Sequence, residues 1–180
     1  AIVGCAFKKT FFDPSVGHNT SQHVLAKDLY IPYYAQSLDK ASRITQVLYF
    51  SENDLYERYK RGVFLDWNRD IAPQDTETEV LEQAKQEAHG VTAPAHDSAQ
   101  PYEILEQHCW FDLDDDGYKE PYVISIRKDT QMVLRIVARF KPSAVEKKNG
   151  EVVRITPDQY FTKYPFIPSP DGSIYDLGFG

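Results

Sequence analysis

The stretch Tyr102–Phe140 decides the reading of this chain: YEILEQHCWF (102–111), DLDDDGYKE (112–120), Pro121, YVISIR (122–127), KDTQ (128–131) and MVLRIVARF (132–140). Three runs rich in β-branched and aromatic residues are separated by one acidic, glycine-bearing segment and one short polar turn. That pattern predicts three strands joined as an antiparallel meander across 101–140.

Upstream, Arg43–Phe50 sets Ile44, Gln46, Leu48 and Phe50 against Thr45, Val47 and Tyr49. Apolar groups on both faces predict a covered strand. Ser51-Glu52-Asn53-Asp54 then opens a helix, with Ser51 placed to cap a free amide and Asp54 to oppose the helix dipole. A second helix is expected at Thr76–His89, where Thr76 and Glu79 form a capping box. Its apolar stripe (Val80, Leu81, Ala84, Ala88) is thin and its charge is high, so 68–100 reads as a peripheral helix followed by a flexible loop. At the start, Ile2–Phe12 is strand-like and Asp13–Gly17 is a turn. Val24–Tyr34 offers a return strand, which Pro32 confines to an edge or to its own end. Lys147-Lys148-Asn149-Gly150 reads as a basic loop tip. The last 24 residues hold Pro157, Pro165, Pro168 and Pro170 and form an extended aromatic strap. The class expected is α+β: an antiparallel β-meander and a mixed sheet with two to three peripheral helices.

The 180 residues are 42% apolar and 26% charged, enough for a real core in about one domain. No run of about eighteen apolar residues exists to span a bilayer. The net charge of −7 argues against a domain that grips nucleic-acid phosphates. Cys5 and Cys109 are too few for a disulfide framework and fit buried thiols or a reducing compartment. Twelve Tyr and ten Phe against one Met are unusual. The chain opens on Ala1 and stops at Leu177-Gly178-Phe179-Gly180, and reads as a piece of a longer protein.

The sharpest chemical pattern is Asp112-Leu113-Asp114-Asp115-Asp116-Gly117. Carboxylates at alternate positions before a glycine are how a loop wraps oxygen ligands around calcium. Val123 stands where the helix-loop-helix site needs a bidentate Glu, and strands flank the loop. Asp112, Asp114, Asp116 and Glu120 are therefore the candidate ligands of a weak Ca²⁺ or Mg²⁺ site on a hairpin. The alternative is a solvated hairpin tip in which the Asp side chains satisfy loop amides and Gly117 takes a positive φ. None of the five histidines forms a zinc spacing, and His108-Cys109 would point to opposite faces of one strand. No nucleophile elbow and no phosphate-binding glycine loop is present, so no enzyme is expected and no small-molecule substrate is implied. Eight basic residues lie between Arg127 and Arg154 against three acids. That imbalance is either ordinary surface charge or one flank of a self-complementary subunit.

Four blocks carry a family resemblance. Tyr164-Pro165-Phe166-Ile167-Pro168-Ser169-Pro170-Asp171-Gly172-Ser173-Ile174-Tyr175-Asp176-Leu177-Gly178-Phe179-Gly180 resembles a segment of the portal proteins of tailed double-stranded DNA bacteriophages. In that family it leads into long helices lining the central channel. Ala6–Pro14 is similar to the family's early strand and turn. Ala41–Gln46 with Ser51–Leu55 resembles its next strand and helix, and Trp110–Asp112 through Glu120–Tyr122 its acidic hairpin. The four run in the same order over nearly the whole chain, with 68–100 matching least.

The resemblance implies a wing-like domain over 1–180 of a portal, a homo-oligomeric ring typically of twelve subunits at one capsid vertex. DNA passes through the ring during packaging and ejection, and terminase and a head-completion adaptor dock on it. Stem, clip and tunnel loop would lie outside this wing region. The implied location is the virion, after synthesis in the host bacterial cytoplasm, with no membrane and no catalytic residues. A calcium-binding β-rich module of another phage or bacterial structural protein is the alternative.

Overall fold

A computed structural model describes residues 4–13, 16–73, 90, 100–170 and 172–178. They form β1 (Cys5–Asp13), β2 (His18–Val24), β3 (Leu29–Tyr30), β4 (Arg43–Phe50), α1 (Glu52–Lys60), β5 (Tyr102–Phe111) and β6 (Glu120–Arg127). β7 (Val133–Ala138), β8 (Val145–Lys148), β9 (Glu151–Ile155) and β10 (Phe161–Pro165) follow. Short 3-10 turns stand at Ala26–Asp28 and Pro142–Ala144.

The expected α+β class is corrected: the described chain is mostly β, with three sheets and α1 as the α-helix among the described residues. Segments lacking apolar alternation became strands by pairing rather than by burial. His18–Val24 is mostly polar and exposed except at half-buried Thr20 and buried Val24, yet it runs antiparallel to β1 from Phe7↔Val24 to Asp13↔His18. β8 and β9, around the basic tip, likewise pair with each other. The return strand expected at Val24–Tyr34 splits into the 3-10 turn and the two-residue β3, with Pro32 beyond its end. The helix expected at Thr76–His89 and the loop at 91–99 lie outside the described residues.

The three sheets are β10-β1-β2, β3-β4-β5-β6-β7 and β8-β9. β5, β6 and β7 are neighbours in chain order, as a meander requires. The chain divides into two compact units, the first of Ala1–Val47, Glu106–Ile124 and Ile136–Gly180, the second of Leu48–Leu105 and Ser125–Arg135.

In the first unit Phe7, Val24, Leu29, Ile44, Phe161 and Ile174 form the core. The strap supplies two of these and pairs with β1 in the register Cys5↔Pro165 and Ala6↔Tyr164. Gly4 lets it come this close. Phe166 N–H donates to Gly4 O at 2.9 Å, and a Cβ on Gly4 would collide with the backbone of Asp176 and Leu177. An ion pair from Lys163 to Asp176 (2.7 Å) closes the strap on itself.

In the second unit Leu55, Phe64, Trp67, Tyr102, Ile104 and Leu134 pack together. Ser51 and Asp54 form a full capping box at the start of α1, the Ser51 hydroxyl accepting from Asp54 N–H and the Asp54 carboxylate from Ser51 N–H. The cap holds Leu55 at zero exposure. Burying such a side chain contributes roughly 1.5–3 kcal/mol. Tyr56 and Tyr59 meet Trp67 edge-on at 6.3 and 5.7 Å between ring centres.

Candidate cation site on the acidic hairpin

The β5–β6 connection carries the candidate site. Its residues repel one another, so the loop needs an internal frame. Gly117 N–H donates to Asp112 Oδ2 at 3.0 Å and Tyr118 N–H to Asp116 Oδ1 at 2.7 Å. Asp115 (φ 57) and Gly117 (φ 90) take the left-handed conformation that turns the chain. Glycine adopts it without the Cβ penalty that other residues meet. These bonds are the Asx-type frame expected of a hairpin tip.

The same frame gathers carboxylates. Asp112, Asp114 and Asp116 each bring one oxygen within 4.8 Å of the others, a spacing that can hold a metal ion. Glu120, the first residue of β6, stands outside this trio. It still feels the cluster: burial first, then the charges of Asp114 and Asp116, push its carboxyl above the usual range. Burial and the nearby Glu120 also raise the Tyr122 phenol. Two carboxylate oxygens, Asp112 Oδ1 and Glu120 Oε2, are shut off from solvent and receive no hydrogen bond among the described residues. An uncompensated buried acceptor is costly. The helix-loop-helix geometry is absent, since strands flank the loop and Val123 lies inside β6.

The remaining sequence candidates fall elsewhere. His108 and Cys109 are both buried, as opposite faces of a covered strand require, and both cysteines are free thiols. The basic segment is thinner at the surface than its composition suggests. Arg127 and Arg139 are buried and Lys128 is paired with Glu103, which leaves Arg135, Lys141, Lys147, Lys148 and Arg154 exposed. Several large apolar side chains of the strap are half-exposed: Tyr164 and Phe166 at 51%, Ile167 and Tyr175 at 41%. Phe161 and Ile174 are buried in their place. Among the described residues no helix is long and apolar enough to cross a membrane.

Sequence reasoning missed one buried polar group in the first unit. Lys9 Nζ donates to Glu106 Oε1 at 2.6 Å and His108 Nε2 lies 2.8 Å from the same oxygen. Lys9 and Glu106 are 97 positions apart, so no local spacing could reveal the pair. The alternation Glu106–His108, placing two polar side chains on a face that otherwise carries Tyr102, Ile104 and Trp110, was the available signal.

No protein-family model and no curated protein matches this chain.

Proposed function

We propose that this chain is the wing region of a phage portal subunit, a structural part without catalytic function in a ring at the capsid vertex. The observation that carries the reading is the coincidence of four portal-like blocks, in order, with structured elements. Ala6–Pro14 falls largely on β1, Ala41–Gln46 with Ser51–Leu55 on β4 and the start of α1, and Trp110–Asp112 through Glu120–Tyr122 on the β5–β6 hairpin. The strap begins in β10, so the first and last blocks are joined as Ala6↔Tyr164.

In this reading the natural full-length subunit assembles as a ring, typically of twelve copies, and DNA passes through its channel. Terminase and the head-completion adaptor dock on regions largely outside this wing. The net charge of −7 suits a subunit past which DNA slides without adhering. Negative-stain imaging of the natural full-length protein tests it. Closed rings are expected, and monomers under every condition tried would overturn the assignment.

A second reading concerns the hairpin alone. The gathered oxygens of Asp112, Asp114 and Asp116, with Asp112 Oδ1 shut off from solvent and without a hydrogen bond among the described residues, favour Ca²⁺ in the loop. All-oxygen ligands of high charge suit a hard cation with flexible coordination. Calcium would tie the hairpin tip and is compatible with a wing or with another β-rich structural module. Isothermal titration of the protein with CaCl₂ tests it, and no heat at millimolar calcium would remove this reading.

A further inference from the structure

A cluster of charges is buried where the β1–β10 pair meets the later half of β5. Lys9 on β1 is 6% exposed and His108 on β5 is 3% exposed. Both use the same carboxylate oxygen, Glu106 Oε1. The His108 ring is held edge-on by Tyr160 and Phe161, with ring centres 5.2 and 4.9 Å away. Phe161 is the first residue of β10, so this imidazole lies directly under the root of the strap. Lys9 also lies 5.9 Å over the Phe161 ring. Following β7, Arg139 is 5% exposed and acts on His108 through its charge. Its Nη1 donates to Asp158 O at 3.2 Å, and Asp158 is the carboxylate acting on it.

The geometry suits a neutral imidazole. Nε2–H can donate to Glu106, whereas His108 Nδ1 is buried and has no partner among the described residues. A proton on Nδ1 would create a buried donor without an acceptor. It would also add a third positive charge to Lys9 and Arg139, facing one carboxylate already bonded to Lys9.

We infer that His108 is an acid-sensitive latch for the strap, whose protonation loosens the packing of Phe161 and the pairing of β10 with β1. Burial is the main reason the ring resists a proton. The Glu106 bond opposes that effect, and Lys9 and Arg139 reinforce it. Because the native state favours the neutral ring, the unfolded or opened chain binds more protons below the ordinary histidine value of 6.5. Stability of the closed strap is therefore full above that value and falls as pH drops below it. The latch belongs to the fold and does not depend on the ring assignment.

Hydrogen exchange of the β10 amides at about pH 7.5 and about pH 5, corrected for intrinsic rates, tests this. The expected result is a loss of protection of about tenfold per unit by which burial lowers the imidazole. In His108→Gln, which keeps a donor to Glu106 and cannot ionise, protection should not change with pH. Equal protection at both pH values in the natural protein would overturn the latch, as would an equal loss in His108→Gln. If that variant does not fold, the proton-NMR titration of His108 in the natural protein decides: a midpoint below 6.5 supports the latch, and one at or above it overturns the latch.

Discussion

The guanidinium of Arg127 lies over the ring of Tyr102, 4.8 Å from its centre, at zero exposure. Nε and Nη2 each donate to one oxygen of Asp129 at 2.7 Å. Nη1 donates to the carbonyls of Trp67 (2.7 Å) and Asn68 (3.0 Å), and Nη2 to those of Ile71 (2.8 Å) and Ala72 (3.3 Å). One side chain at the end of β6 thus satisfies the backbone of a segment without regular structure, beside the Trp67 core.

Removing this cation leaves Asp129 and four carbonyls without it. Breaking a buried pair from one side costs about 3–5 kcal/mol. Arg127→Met is therefore expected to destabilise by that order in urea unfolding. Arg127→Lys should recover only part of the loss, because an ammonium cannot reproduce the planar fork. A Lys variant as stable as the natural protein would show that charge alone suffices.

Gly4 is the point where the strap touches the start of β1. Gly4→Ala should displace the backbone at Asp176–Leu177, weaken the Phe166 N–H to Gly4 O bond, and destabilise by about 1–3 kcal/mol. Thermal unfolding measures it, with Gly172→Ala as a comparison in which the added methyl meets no neighbour within 4 Å but must adopt a φ of 72. Equal losses in the two variants would mean that strap docking contributes little.

The acidic hairpin behaves differently with and without a cation. Without one, Asp114→Asn relieves repulsion within the trio and should stabilise by a few tenths of a kcal/mol, roughly the scale of exposed charge pairs. With calcium at about a hundred times its dissociation constant, the natural protein should gain about 2.7 kcal/mol, and the variant should lose most of that gain. Melting curves with calcium and with EDTA give both quantities.

Glu106 sets the behaviour in strong acid. Burial alone would raise its carboxyl. The His108 hydrogen bond and the Lys9 ammonium outweigh that and hold it at about 2, against an ordinary 4.5. The folded value is depressed, so its contribution is complete above pH 4.5 and disappears as pH falls towards 2. Glu106→Gln should flatten the stability profile across that window and be less stable than the natural protein at neutral pH. An unchanged profile would mean that other carboxylates control acid unfolding.

Where the chain's pattern was strong, the fold was legible. β4 and β5 begin and end where alternation and aromatic content place them, and the Ser51–Asp54 box opens α1 as its spacing requires. β2 was not legible because His18–His23 buries almost nothing and is a strand through its hydrogen bonds to β1. β8 and β9 were hidden for the same reason, their residues being exposed except at Val145 and Ile155. The Asp trio could be read from spacing because its members are close in sequence. The Lys9–Glu106–His108 group and the Arg127 clasp could not, because each joins residues dozens of positions apart that no local spacing relates.

The proposed place of this chain is the outer wing of a portal ring. Electron cryomicroscopy of rings of the natural full-length protein tests it most directly. The β-rich fold described above is expected to fit density at the outer rim of a closed ring, away from the channel wall. The same fold lining the channel, or particles that never close into a ring, would contradict it.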